Sequence, residues 1–138
     1  MFYDEGAVVV ASSYTKVGGV YDLGFRHDPD NPLETLAEYC LGVYTNRNLP
    51  QRIDMLANYI NEYEADGLLI NSIKSCNSFS AGQLLIMREV EKRTGKPAAF
   101  VESDLVDPRY FSAANIKNRL ESYFQMIEQK RAGAAAAA

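Results

Sequence analysis

The sequence is poor in the residues and patterns that mark several large classes of protein. It has two cysteines and one histidine in 138 residues, which argues against a disulfide framework and, with no secretion signal at the start, for a reducing compartment. No apolar run approaches the length of a membrane span, and a net charge of −4 without a Lys/Arg cluster gives no indication of nucleic-acid binding. Neither G-x-G-x-x-G after a strand nor a Walker A motif occurs, so direct nicotinamide or ATP binding is not indicated. We therefore expect a cytoplasmic protein that contacts neither nucleic acid nor membrane.

The apolar pattern predicts a single α/β domain over residues 1–131, followed by a disordered Ala-rich tail over residues 132–138. Three apolar runs, at residues 6–13, 67–70 and 96–102, have the length and composition of buried strands. Four stretches with helical spacing of apolar residues alternate with them, in the order β-α-α-β-α-β-α. This order predicts a small three-layer domain with a parallel sheet of three or four strands, similar to flavodoxin and Rossmann folds.

Each predicted helix has a start signal and one apolar face. The first begins at Asn31-Pro32, the second near Leu49-Pro50, the third at a capping box of Ser80 and Gln83, and the last after Ser112. The side chains expected to face the core are Leu33, Leu36, Ala37, Cys40, Leu41 and Tyr44 in the first helix; Ile53, Leu56, Ala57, Ile60 and Tyr63 in the second; Leu84, Leu85, Met87 and Val90 in the third; and Ile116, Leu120, Tyr123, Phe124 and Ile127 in the last.

A long connection, residues 14–30, joins the first predicted strand to the first helix. It contains Gly18-Gly19 and His27, the single histidine of the chain. A connection of this length in a compact domain is usually functional, mobile or in contact with another molecule. His27 has no companion histidine and no placed acid nearby, so we expect it to be solvated.

The polar residues 71–80, between the second strand and the third helix, are the candidate site. They contain four serines, two asparagines and Cys76, and such a loop lies at the ligand-binding edge of an open α/β sheet. A following helix N-terminus favours a thiolate, and backbone N–H groups there can donate to cluster sulfurs. From position alone, a functional thiolate and an inert, half-buried thiol remain equally open for Cys76, whereas Cys40 is interpreted as a small packed hydrophobe.

The polar neighbours of Cys76 also have two interpretations. Ser72, Ser75, Asn77 and Ser78 are suited to donate to a cluster or thioester, and loop hydrogen bonds explain them equally well. Glu102 and Asp104 follow the third predicted strand at the same edge, where capping and loop ordering explain them more readily than chemistry does.

Several segments taken together resemble one family. The segments are Asp-Gly-Leu-Leu-Ile-Asn-Ser at 66–72 before Ser75-Cys76, Phe79-Ser80 with Gly82-Gln83, Glu-Ser-Asp at 102–104, Asp-Pro-Arg-Tyr at 107–110, and the final run at 119–128. Over residues 6–128 the chain resembles the C-terminal domain of a cluster-binding subunit in the benzoyl-CoA reductase and 2-hydroxyacyl-CoA dehydratase family. The Asp-Pro-Arg segment and the final run look more like the reductase branch.

The resemblance implies an activity that this chain performs only as part of a larger enzyme. It implies a 4Fe-4S iron–sulfur cluster bound through three cysteines, with Cys76 as the ligand from this domain and Ser75 and Asn77 beside it. A second homologous cluster-binding subunit and ATP-hydrolysing electron-donor subunits would act with it on benzoyl-CoA or another acyl-CoA, reducing the aromatic ring to a cyclic diene. Because family subunits are much longer, we expect a truncation at Met1 and an inactive isolated fragment.

Two alternatives remain open at this stage. The first is a fragment of a 2-hydroxyacyl-CoA dehydratase subunit, in which the cluster drives radical elimination of water. The second is a flavodoxin-like interaction domain without chemistry of its own.

Lys74 stands one position earlier than the basic residue that many relatives carry before the Ser-Cys pair.

Overall fold

A computed structural model describes residues 2–13 and 27–136 of the chain. Its principal elements, in chain order, are α1 (Pro32–Gly42), α2 (Leu49–Glu62), β1 (Leu68–Ile73), α3 (Asn77–Ser80), α4 (Gln83–Thr94), β2 (Ala98–Ser103) and α5 (Ala113–Ala136). Short 3-10 turns occur at Tyr3–Glu5, Tyr44–Asn46 and Pro108–Tyr110. Within these described residues, no helix combines the length and the apolar character needed to cross a bilayer. Most of the predicted connection at residues 14–30 lies outside the described residues.

The described sheet has two parallel strands. β1 and β2 are in register from Leu68 opposite Ala98 to Ile73 opposite Ser103, so the predicted parallel pairing is confirmed. β1 continues three residues beyond the predicted apolar tetrad, because the polar residues Asn71 and Ser72 also join the ladder. Ser72 is nevertheless buried. The chain therefore has the predicted α/β class, but the three-layer, flavodoxin-like arrangement with three or four strands is not confirmed.

The prediction of a strand at residues 6–13 is wrong for this chain. Residues 7–12 have no regular secondary structure, and Val8 is 78% exposed, Val9 62% and Val10 51%. A run of β-branched residues becomes a buried strand only when a neighbouring strand pairs with it and other layers cover its faces. In the described part of the chain, the run lacks both conditions.

The core lies between α2 and α4 on one face of the sheet. α2 begins with a capping box in which the Asn48 side chain accepts from the Gln51 backbone and the Gln51 side chain accepts from the Asn48 backbone. The buried side chains of this cluster are Tyr44, Ile53, Met55, Leu56, Ile60, Ile86 and Val90. Phe79 packs against the cluster with its ring stacked on Tyr44 at a centroid distance of 6.0 Å.

The predicted apolar face of the first helix is exposed except at Tyr44, which is buried but lies beyond the end of α1. Leu33 is 82% exposed, Leu36 51% and Leu41 67%, and Cys40 is also exposed. The interpretation of Cys40 as a packed thiol is therefore wrong here. Helical spacing identifies a face that can be buried, but burial requires another element against that face.

α4 differs from the prediction at its start. The expected capping box of Ser80 and Gln83 does not form, because Gly82 takes a left-handed conformation (φ 76°) as the N-cap and the Gln83 side chain donates to the carbonyl of Phe79. Ile86 and Val90 face the core, whereas Leu84 and Leu85 are exposed. At the other end Gly95, in the left-handed region, ends the helix as predicted.

α5 packs on β2 through the predicted face. Leu120 and Tyr123 are buried, and the Phe124 ring meets the Phe2 ring edge to face at 6.1 Å. The Ser112 hydroxyl accepts from the Asn115 backbone at 3.4 Å, as expected of an N-cap residue. The helix includes residues 132–136, which the sequence analysis assigned to the Ala-rich tail.

Candidate functional site

The candidate site lies where the two parallel strands end. Ile73 and Ser103, the last residues of β1 and β2, are paired across the ladder. Residues 74–76 and residues 104–107, which follow the two strands, therefore begin side by side. The structure thus brings together the two polar segments that the sequence placed at the ends of separate strands.

Lys74 links the two strand ends through both its backbone and its side chain. Its N–H donates to the Ser103 carbonyl at 3.0 Å, and its Nζ pairs with Glu102 Oε1 at 2.8 Å. The same Nζ lies 5.6 Å from the centroid of the Tyr110 ring. The hydrogen bond between Lys74 and Glu102 raises the pKa of Lys74 and lowers the pKa of Glu102. Because both side chains are about two-fifths exposed (41% and 43%), solvent screens the pair, which contributes little to stability.

Asp104 joins the loop after β1 to the loop after β2. Its Oδ2 accepts from the Ser75 N–H at 2.7 Å, and its Oδ1 accepts from the N–H groups of Val106 at 2.8 Å and Asp107 at 3.1 Å. The pKa of Asp104 is lowered because these backbone groups, Val106 and Asp107 first and then Ser75, stabilise the carboxylate. The loop-ordering role that the sequence favoured for this acid is what the structure displays.

Cys76 follows directly and is held by its backbone. Its N–H donates to the Ile73 carbonyl at 3.1 Å, and its carbonyl accepts from Phe79 at 3.1 Å and Ser80 at 2.9 Å. The residue is half-buried and its thiol is free. It lies beyond the end of β1 and outside the core cluster, as predicted.

Between Cys76 and the helix that was predicted to begin at Ser80, the structure has an additional short helix. Cys76 is the N-cap of α3, a single turn, and the longer α4 begins only at Gln83, after the left-handed Gly82. Stabilisation of an anion by a helix terminus is confined to the adjacent turn and grows with aligned peptide dipoles. The helix effect that the sequence analysis ascribed to Cys76 therefore has a much shorter helix behind it.

The polar neighbours of Cys76 have different environments. Ser75 and Asn77 are both exposed, so their side chains are accessible at the edge. Ser72 is buried within β1. Ser78 has its carbonyl bound by a side chain from α2.

That side chain, Arg52, is a site-supporting residue that the sequence analysis missed. Its guanidinium donates to the carbonyls of Thr45 at 2.6 Å, Arg47 at 2.9 Å and Ser78 at 2.9 Å. It also lies 5.1 Å from the centroid of the Tyr44 ring. Arg52 thereby ties α3, the turn that begins at Cys76, to the connection between α1 and α2. No local pattern marks such a residue. Its partner Ser78 lies 26 positions further along the chain, and its other two partners lie in the connection between α1 and α2.

The described residues offer one thiol at this edge and no complete metal site. Across residues 2–13 and 27–136, no three or more His, Cys, Asp or Glu side chains are grouped so that they could hold a metal ion. His27 is exposed, as expected, and its ring centroid lies 5.3 Å from that of Tyr39.

Comparison with known proteins identifies the family. A sequence model of the family described as 2-hydroxyglutaryl-CoA dehydratase, D-component, matches residues 1–127. The chain belongs to this family. It is 80% identical over 137 residues to a subunit of the benzoyl-CoA reductase of Thauera aromatica, an alignment that covers 99% of this chain and 32% of that relative.

More distant relatives also match. The alpha subunit of lactoyl-CoA dehydratase from Anaerotignum propionicum is 25% identical over 120 residues, covering 87% of this chain and 28% of the relative. The alpha subunit of (R)-2-hydroxyglutaryl-CoA dehydratase from Acidaminococcus fermentans is 26% identical over 118 residues, covering 86% and 24%. The chain thus spans a third or less of the length of these curated relatives. No solved structure gave a significant match. The family inferred from the motifs is confirmed.

Proposed function

We propose that this chain is the C-terminal domain of a benzoyl-CoA reductase subunit and that Cys76 binds one iron of a 4Fe-4S cluster in the intact enzyme. The observation that carries the assignment is 80% identity over 99% of the chain to the benzoyl-CoA reductase relative from Thauera aromatica. The dehydratase relatives, at 25% and 26% identity, make a 2-hydroxyacyl-CoA dehydratase subunit the second candidate. Two free cysteines agree with a reducing, cytoplasmic compartment.

The chemistry of the donors suits one corner of such a cluster. A 4Fe-4S cluster is held by several cysteine thiolates, and a half-buried thiol at an open sheet edge can supply one of them. Cys40 lies exposed on α1, outside the loops of this edge. We therefore assign the remaining ligands to the rest of the subunit, which is consistent with a chain that spans 32% of its relative.

The chain's own residues would bind and orient, while the cluster supplies single electrons. In this proposal Cys76 provides the thiolate, and the exposed side chains of Ser75 and Asn77 donate hydrogen bonds to cluster sulfur or to the acyl-CoA thioester. The Lys74–Glu102 pair lies beside them and spans the two strand ends.

The remaining parts of the reaction belong to other subunits. Ser75 and Asn77, on either side of Cys76, are exposed, so we assign completion of the benzoyl-CoA pocket to a second homologous cluster-binding subunit. ATP hydrolysis and electron delivery are assigned to separate donor subunits, since this chain carries no Walker A motif.

The test is Cys76→Ser in the full-length subunit, assembled with its partners under anaerobic conditions. Serine replaces a soft thiolate by a hard hydroxyl that binds iron weakly, while the polar loop accommodates the nearly isosteric side chain. We expect normal assembly, loss of cluster absorbance from this subunit, and loss of benzoyl-CoA reduction with ATP hydrolysis retained.

Cys40→Ser is the matched control, because it makes the same substitution on the exposed surface of α1. It should leave iron content and turnover unchanged. Full iron content and turnover in Cys76→Ser would refute the ligand assignment and favour a non-catalytic interaction domain. If the unmodified enzyme turned over a 2-hydroxyacyl-CoA but not benzoyl-CoA, that result would instead favour the dehydratase candidate.

A further inference from the structure

Among the described acidic groups, the Asp104 carboxylate is the one that binds the backbone of the Cys76 loop from the loop after β2. Its Oδ2 accepts from the Ser75 N–H at 2.7 Å across 29 positions of sequence. We infer that Asp104 is a positioning residue for Cys76, which fixes where the thiolate is presented to a cluster. Because Asp104 acts through Cys76, this role depends on the proposed function of that residue.

The backbone around Cys76 shows why one hydrogen bond at Ser75 matters. The N–H of Cys76 is bound to Ile73, and its carbonyl is bound by Phe79 and Ser80. The Ser75 N–H is the point at which this tight turn is fastened to the loop after β2. With both sides of the Cys76 backbone held, the position of its sulfur is left to one side-chain rotation.

The carboxylate is itself anchored, so it can serve as a fixed acceptor. Its other oxygen accepts from the N–H groups of Val106 and Asp107 at 2.8 Å and 3.1 Å. Hydrogen bonds to an ionised acceptor are shorter and stronger than those between neutral groups. The three bonds therefore join residues 75 and 104–107 into one unit at the end of the sheet.

Two nearby acids provide a contrast. The Asp107 carboxylate accepts from the Arg109 side chain and backbone within its own turn. Glu102 pairs with the Lys74 side chain, which is about two-fifths exposed. Neither interaction is with the peptide groups next to Cys76, so Asp107→Asn is a matched control in the same loop.

The first test measures Cys76 reactivity in this chain without any cluster. In a Cys40→Ala background Cys76 is the single thiol, and its iodoacetamide alkylation rate is followed by mass spectrometry, well below the unfolding midpoint of each variant. Asp104→Ala removes all three acceptor bonds and should speed alkylation roughly three- to tenfold. Asp104→Asn, which keeps one acceptor oxygen, should give a smaller increase, and Asp107→Asn should stay within about twofold of the parent.

Equal rates in the parent and both Asp104 variants would overturn the inference. An equal acceleration by Asp107→Asn would also overturn it, since that result would reflect general loosening of residues 104–111. If Asp104→Ala does not fold, the alkylation rate of Asp104→Asn is compared with that of Asp107→Asn. A faster rate in Asp104→Asn supports the inference, and equal rates overturn it.

The second test uses the intact enzyme and reads the cluster directly. Asp104→Ala should retain iron but change the electron paramagnetic resonance spectrum and the reduction potential of this subunit's cluster, because ligand geometry and nearby hydrogen bonds tune both. Asp107→Asn should leave both unchanged. If Cys76→Ser removes the cluster while Asp104→Ala leaves spectrum and potential unchanged, the positioning role is wrong and the proposed function stands. If Cys76→Ser leaves the cluster unchanged, the proposed function itself fails.

Discussion

Gly67→Ala tests how tightly the start of β1 is packed against β2 and α5. Gly67 immediately precedes β1, and a Cβ at this position would collide with the Tyr123 hydroxyl and lie 2.7 Å from the Pro97 carbonyl. Both approaches are far closer than van der Waals contact. The Pro97 carbonyl accepts from the Leu68 N–H at 3.0 Å, so relief of the clash must move backbone at the first bond between the strands.

Tyr123 gives little room for relief either. Its side chain is 4% exposed, and burial raises the pKa of its hydroxyl. Overpacking of a well-packed core costs roughly 1–3 kcal/mol, and we expect Gly67→Ala to lower the free energy of unfolding by about 2 kcal/mol. With a urea m-value of ~2 kcal/mol/M, the unfolding midpoint should fall by about 1 M at an unchanged slope.

The measurement is urea unfolding followed by far-ultraviolet circular dichroism, since the chain has no tryptophan. Gly42→Ala is the control: Gly42 ends α1, and an added Cβ there meets nothing within 4 Å. Alanine in a helix is more favourable than glycine by roughly 0.5–1 kcal/mol, so this variant should be slightly more stable than the parent. An unchanged or raised midpoint in Gly67→Ala would refute the close approach of Tyr123 and Pro97.

Three other contacts or sites of the chain can be tested in the same way. Arg52→Lys should lower the free energy of unfolding by roughly 1–2 kcal/mol in urea titrations, because an ammonium cannot bind three carbonyls in the geometry of a guanidinium; stability equal to the parent would contradict the three-way contact. The pKa values of Glu102 and Asp104 are lowered from their ordinary values of 4.5 and 3.8. Their contribution to the free energy of unfolding is therefore present above those ordinary values and is lost as pH falls through the lowered pKa values. Urea midpoints measured from pH 6 to pH 2 should fall over that range, and they should fall less steeply in Asp104→Asn. Anaerobic iron–sulfur reconstitution of the isolated 138-residue chain should give far less than one cluster per chain and no benzoyl-CoA reduction, and near-stoichiometric iron and sulfide would overturn the single-ligand assignment.

Local sequence signals were reliable where the interaction itself is local. Gly95 ends α4 in the left-handed region, and the second helix begins as predicted after Asn48. These features depend on residues within a few positions of each other, so the sequence contains both partners. Ser80 and Gln83 had an equally good capping pattern, yet Gly82 between them adopts φ 76° and the box does not form. Whether a capping box forms therefore depends also on the backbone conformation of the residues between its two ends.

The residues at this sheet edge were predicted in outline, but the contacts between them depend on how the two strands pair. Polar residues after two apolar runs indicated that Cys76 and Asp104 lie at one sheet edge, because parallel strands end on the same side. The bond between Asp104 and the Ser75 peptide depends on the register that sets Ile73 opposite Ser103. Register is a relation between distant segments, and the sequence of either segment does not contain it.

The sequence by itself determined the family, the α/β class and the position of Cys76 after a strand, because each is encoded by residue identity and short-range periodicity. Only the tertiary structure decided which apolar faces are buried. Val8 to Val10 and the leucines of α1 have patterns as apolar as that of α2, but they remain exposed, whereas Ile53, Ile60 and Val90 form a core. The physical reason is that burial is a property of two surfaces in contact. A pattern supplies one of those surfaces, and the fold decides whether the chain supplies the other.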